Sequence, residues 1–145
     1  MNNGGYNAYT QMKVMTADPK KLVMMCYEEA IHCLQMAKAM YASKNYEAKG
    51  RALAKALDIL NELREALDFE KGGVIAKNLD VLYGFMTKHL LNADRRRDLK
   101  ALDQVLSMLG ELKSAWERAF YSQPDSLAPS PREEYPSAQA PEPLR

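Results

Sequence analysis

Between residues 18 and 122 the apolar side chains recur at steps of three and four, and no stretch alternates apolar and polar residues as a half-buried strand does. That spacing restricts the chain to helices. The first opens at Asp18-Pro19, a side-chain cap followed by a proline where a missing N–H costs nothing. Its stripe reads Val23, Cys26, Tyr27, Ala30, Cys33, Leu34, Ala37, Met40 and Tyr41. Asn45 caps a second helix with Leu53, Ala56, Leu57, Leu60, Leu63 and Leu67 inward, and Gly72-Gly73 is expected to end it. A third follows with Ile75, Leu79, Leu82, Met86, His89 or Leu90, and Ala93; Asp98 caps a fourth with Leu102, Val105, Leu106, Leu109, Leu112, Trp116, Ala119 and Phe120. Four such helices on short connections bury their stripes together only by running antiparallel. The expected fold is all-α, an up-down-up-down four-helix bundle, with Tyr27, Leu63, Leu82 and Trp116 buried.

The flanks differ from this middle. Six of the seven prolines lie between Pro124 and Pro143. Residues 123–145 therefore read as a disordered Pro-rich tail, with Asp125, Glu133, Glu134 and Glu142 against Arg132 and Arg145. No two of its prolines are spaced as PxxP, which argues against an SH3-type ligand. Residues 1–17 read as an extended leader, too polar and Gly-rich for a stable helix yet carrying Tyr6, Tyr9, Met12, Val14 and Met15.

Composition excludes several classes. With 20 Lys and Arg against 19 Asp and Glu, no global field draws the chain to nucleic acid or an anionic membrane. No apolar run is long enough to insert in a membrane, and the N-terminal stretch lacks the basic start and apolar core of a signal peptide, so a cytoplasmic address is expected. Cys26 and Cys33 stand two helical turns apart, too far for a disulfide, and read as small buried residues. Glu29-Ala30-Ile31-His32 matches one half of a di-iron pattern, but the second half is missing because Met86 stands where His89 would need its glutamate. The glycine pair follows no strand and precedes no Lys-Ser, so it is helix punctuation rather than a phosphate cradle. Arg95-Arg96-Arg97, flanked by Asp94 and Asp98, reads as a solvated turn. No nucleophile with a base and orienter is visible, and neither an enzyme nor a cofactor is expected.

One feature exceeds what a plain bundle needs. Met24, Met25, Ile31, Met36, Ile59, Val81, Phe85, Leu91 and Met108 fall outside or at the margins of the stripes. They are either a groove for a partner segment or a wide stripe plus ordinary surface apolar residues.

VMTADPKKLVMMCYEEAI, ALDFEKGGVIAKNLDVLYGFM and LGELKSAWERAF, with the leader NAYTQMKVMTADP, resemble the signature stretches of the bacterial flagellin export chaperones, the FliS family. The resemblance runs from about Tyr6 to Phe120 and rests above all on LDFEKGG-x-IAKNLD-x-LY. It implies a small cytoplasmic four-helix bundle that binds the disordered C-terminal segment of flagellin, prevents premature polymerisation and keeps it competent for type III export, with export-gate components as further partners. The same groove in a helical adaptor for another secretion or regulatory protein is the alternative. The sequence departs from the family pattern at Cys26, Glu28-Glu29, Ala66 and Gly84, and in the length of its tail. Flagellin is expected to dock near Leu79, Leu82, Tyr83, Phe85 and Met86, while Tyr6, Tyr9 and Val14 of the leader cover the groove in the free protein.

Overall fold

The computed structural model describes residues 18–122, and over that range it contains four helices and no strand. They are α1 (Pro19–Ala42), α2 (Tyr46–Glu65), α3 (Phe69–Arg96) and α4 (Leu99–Tyr121). The leader and tail assigned to residues 1–17 and 123–145 lie outside the described residues. Residues through Lys113 form one unit, and the chain from Ser114 forms a second.

Each helix starts on a short polar side chain that accepts otherwise unpaired N–H groups. Asp18 Oδ1 accepts from Lys20 N at 3.0 Å, and Asn45 Oδ1 from Ala48 N at 3.2 Å. Asp98 Oδ1 accepts from Lys100 N and Ala101 N. The fourth cap is Asp68, bonded to Lys71 N at 3.0 Å. The break between α2 and α3 is thus at Ala66–Asp68, earlier than the glycine pair expected to make it. Gly73 lies inside α3 with φ 52° and ψ −127°, a conformation open to glycine and strained for other residues, and it kinks the helix after its first turn. Gly72 is required for space, since a Cβ there would stand 2.8 Å from the Ala76 Cβ.

Ion pairs on the rim report the helix directions. Glu28 meets Lys113 while Lys38 meets Asp103, so rising numbers in α1 face falling numbers in α4. Arg64 with Asp80 and Lys49 with Asp94 give the same antiparallel relation between α2 and α3. The closest-packed pair is α1 with α2, where Ala30, Ala37 and Ala56 are fully buried and their small side chains let the backbones approach.

The core of α1 follows the expected stripe from Cys26 to Ala37, and Met24 and Ile59, placed outside the stripes by spacing, also turn inward. On α3 the buried row is Ala76, Leu79, Tyr83, Met86, Leu90 and Ala93. Ile75 is 66 % exposed and Leu82 only half-buried, so both depart from expectation. The reason is angular: the buried row runs through Ala76, Leu79, Tyr83, Met86 and Leu90, and Ile75 and Leu82, each one position before a member of that row, fall at its margin. Trp116 is likewise only half-buried, stacked on Phe120 with ring centroids 5.1 Å apart.

One polar contact sits at the centre. The hydroxyls of Tyr27 in α1 and Tyr83 in α3 lie 2.5 Å apart, and both side chains are buried. Burial, then the neighbouring Tyr27, raises the Tyr83 phenol above its ordinary pKa, so it stays protonated.

Candidate functional site: the outer face of the third helix

α3 is apolar on two faces. Opposite its buried row stand Val74, Val81 and Phe85, seven and four residues apart and therefore in line along the helix. They are 71 %, 68 % and 49 % exposed. At one margin Phe85 stacks on His89 with centroids 4.9 Å apart, and His89 Nε2 lies 2.6 Å from Gln104 Oε1 of α4. That contact ties the apolar face to α4; Leu82 on α3 and Met108 on α4 are each half-buried.

The opposite flank is ionic. Arg64 Nε donates to Asp80 Oδ1 at 2.6 Å, and the guanidinium lies over Gly84, where a Cβ would stand 3.0–3.2 Å from it. The mid-helix glycine, costly by about 1 kcal/mol relative to alanine in helix propensity, leaves room for this side chain. Asp80 holds the Arg64 guanidinium above its ordinary pKa.

Of the residues expected to meet a partner, Phe85 lies on the open face and Leu82 at its margin. Leu79, Tyr83 and Met86 are in the core, where they hold α3 to the bundle from beneath. Tyr6, Tyr9 and Val14 fall outside the described residues. Val74 belongs to the same outward row as Val81 and Phe85, and the spacing of the three could have revealed it.

Chemistry elsewhere is closed off by packing. Cys26 and Cys33 are buried, are not joined in a disulfide, and are pushed up to about 12, first by burial and then by Glu62 and Glu29 respectively. Glu29 is engaged by Lys55 at 3.0 Å, and its hydrogen bond raises the Lys55 pKa; His32, three residues along, faces solvent. Among the described residues no three His, Cys, Asp or Glu are grouped to hold a metal, and no helix is long and apolar enough to cross a membrane.

A four-helix bundle in which one helix carries an exposed apolar row opposite its packed face is a scaffold with a surface left to bind another chain. The chain belongs to the family of the flagellar protein FliS, whose model matches residues 1–123. It is 41 % identical over 119 residues to a flagellar secretion chaperone FliS of Vibrio cholerae and 39 % identical to that of Salmonella typhimurium, in both cases over 79 % of this chain and 88 % of the relative. A flagellar secretion chaperone FliSB of Pseudomonas aeruginosa is 36 % identical over 74 % of this chain and 85 % of its own length. FliS is a family of chaperones and not of enzymes.

Proposed function

We propose that this chain is a cytoplasmic export chaperone for flagellin. It holds the C-terminal segment of flagellin on the outer face of α3 and the α3/α4 seam, which keeps that segment from polymerising and ready for the type III export apparatus. The observation that carries the reading is the row Val74, Val81 and Phe85 on a helix already packed by its opposite face. Three apolar side chains in line suit a partner that lays an apolar stripe of its own along the helix. Leu79, Tyr83 and Met86 act from below by fixing the position and rotation of that helix. The leader, through Tyr6, Tyr9 and Val14, covers the same face in the free protein and yields to flagellin.

Phe85 is the side chain to test. A phenylalanine buries upwards of about 150 Å² when covered, and half of that is open here. At about 25 cal/mol per Å² the remaining area is worth roughly 2 kcal/mol. Phe85→Asp is expected to weaken binding of a flagellin C-terminal peptide tenfold or more, about 1.4 kcal/mol, with helicity and melting unchanged. Calorimetric titration checks it, and binding should carry a negative heat-capacity change. Wild-type affinity in a folded Phe85→Asp protein moves the site elsewhere. Failure of the wild-type chain to bind the peptide favours an adaptor for another secretion protein.

A further inference from the structure

The apolar row on α3 has charged neighbours that play no part in the function proposed above. Steps of eleven and seven residues are close to whole turns, so Lys77, Lys88 and Arg95 form a second line along the helix, beside Val74, Val81 and Phe85. All three cations are exposed. We infer that this face selects an acidic amphipathic helix. The partner's apolar side chains cover Val74, Val81 and Phe85, and carboxylates along one flank of its stripe meet Lys77, Lys88 and Arg95. This rests on flagellin being the partner, and it specifies which part of the C-terminal segment docks on α3: the part with acidic residues beside its apolar stripe.

The separation of charge on α3 carries the argument. From Val74 to Arg96 the helix holds two carboxylates, Asp80 and Asp94, against Lys77, Lys88, Arg95 and Arg96. The two carboxylates stand fourteen residues apart, on one face, and α2 engages both, through Arg64 and Lys49. The cations are not matched in this way. Lys77 and Lys88 form no ion pair among the described residues, and Arg95 bonds the neutral Asn92. At the other margin, Gln104 of α4 is neutral, and Asp103 beside it is held by Lys38. Two turns further along α4, Glu111 is a single acid against these cations. α3 thus turns its anions toward α2 and presents cations to whatever lies over the apolar row. Repulsion disfavours a basic segment, attraction favours an acidic one, and the lysine stems add hydrocarbon to the contact.

The width of the face favours a single helix over a bilayer surface. The apolar line is bounded by the Arg64–Asp80 pair on one side and by the His89–Gln104 contact on the other. Its length sets the register. Lys77 and Lys88 are about 16 Å apart along the axis, so the partner's carboxylates should fall three turns apart.

The test titrates the full chain with two designed helical peptides that share one leucine stripe. Glutamates flank the stripe in one peptide and lysines in the other. At low ionic strength the glutamate peptide is expected to bind about tenfold more tightly, and the gap should close near 1 M salt, where the screening length falls to about 3 Å. Lys77→Glu/Lys88→Glu is expected to remove the preference and Lys77→Gln/Lys88→Gln to reduce it. Helicity should hold in both variants, because the two lysines are exposed. The flagellin C-terminal segment should follow the glutamate peptide, losing about tenfold in affinity in Lys77→Glu/Lys88→Glu. Equal affinity for the two peptides, binding of neither, or flagellin binding indifferent to salt and to both variants overturns the inference; in the last case flagellin is still the partner. The expected peptide preference in a chain that does not bind flagellin supports the acidic helix and refutes flagellin as its source. Lysine-dependent binding to phosphatidylglycerol vesicles without any peptide preference assigns the cations to a lipid surface and also overturns the inference.

Discussion

Removing the hydroxyl of Tyr27 tests the centre of the bundle most directly. Tyr27→Phe keeps the ring and its packing but leaves the Tyr83 hydroxyl without its 2.5 Å partner at a site where Tyr83 is only 2 % exposed. A buried hydroxyl stripped of its partner costs about 1–3 kcal/mol. For a domain near 100 residues, each kcal/mol lowers the melting temperature by about 4–8 °C. The single variant is therefore expected to melt at least about 5 °C below the wild type by circular dichroism, with denaturant titration giving the same loss. The double variant Tyr27→Phe/Tyr83→Phe removes both hydroxyls, leaves no orphan in this pair, and replaces the contact with hydrocarbon of the same shape. Its loss should be smaller than the sum of the two single losses, by about 1 kcal/mol or more, a coupling that a double-mutant cycle resolves. If the two changes add, or if Tyr27→Phe alone costs less than about 0.5 kcal/mol, the hydroxyl contact does not hold the core and the reasoning fails.

Other perturbations follow from the same geometry. Gly73→Ala forces a side chain into a φ of 52° and is expected to cost about 1–3 kcal/mol, measured by urea denaturation. Asn45→Ala removes the cap on α2 and should cost about 1 kcal/mol in the same assay. The two thiols make stability pH-dependent in one direction. In the folded chain they stay protonated to about 12, while in the unfolded chain they ionise near 9.0. Stability from this source is complete below pH 9.0 and is lost as pH climbs toward 12, by up to about 1.4 kcal/mol per pH unit for each thiol. Denaturation midpoints at pH 8, 10 and 11 in the wild type and in Cys26→Ala/Cys33→Ala check this, the variant being expected to show the shallower decline.

Local rules made much of the fold legible. Asp18, Asn45 and Asp98 announced helix starts because each places a short side-chain oxygen just before an apolar periodic run, and all three bond the N–H groups expected of them. Asp68 was masked by the glycine pair, a stronger break signal in sequence than in space, since glycine can take a left-handed conformation inside a helix without ending it. The rotation of α3 was misjudged by one position: Ile75 and Leu82 directly precede Ala76 and Tyr83, which pack, and the partner of the Tyr83 hydroxyl, Tyr27, lies on another helix, invisible to any local pattern. The candidate site divided accordingly. A helix apolar on both sides does not declare which side packs until its neighbours are placed. Phe85 was therefore grouped with Leu79, Tyr83 and Met86, although the bundle buries those three and leaves Phe85 outward.

The alanine-lined approach of α1 and α2 bears on the order in which the chain assembles. These helices are consecutive, the connection between them is short, and they are the tightest-packed pair. Their mutual contacts close small loops, whereas the contacts of α1 with α4 must wait until nearly the whole sequence is in place. The α1–α2 hairpin is thus the expected nucleus, formed while α4 is still free. Ala37→Gly should slow refolding in stopped-flow measurements, whereas Val105→Ala in α4 should act mainly by speeding unfolding.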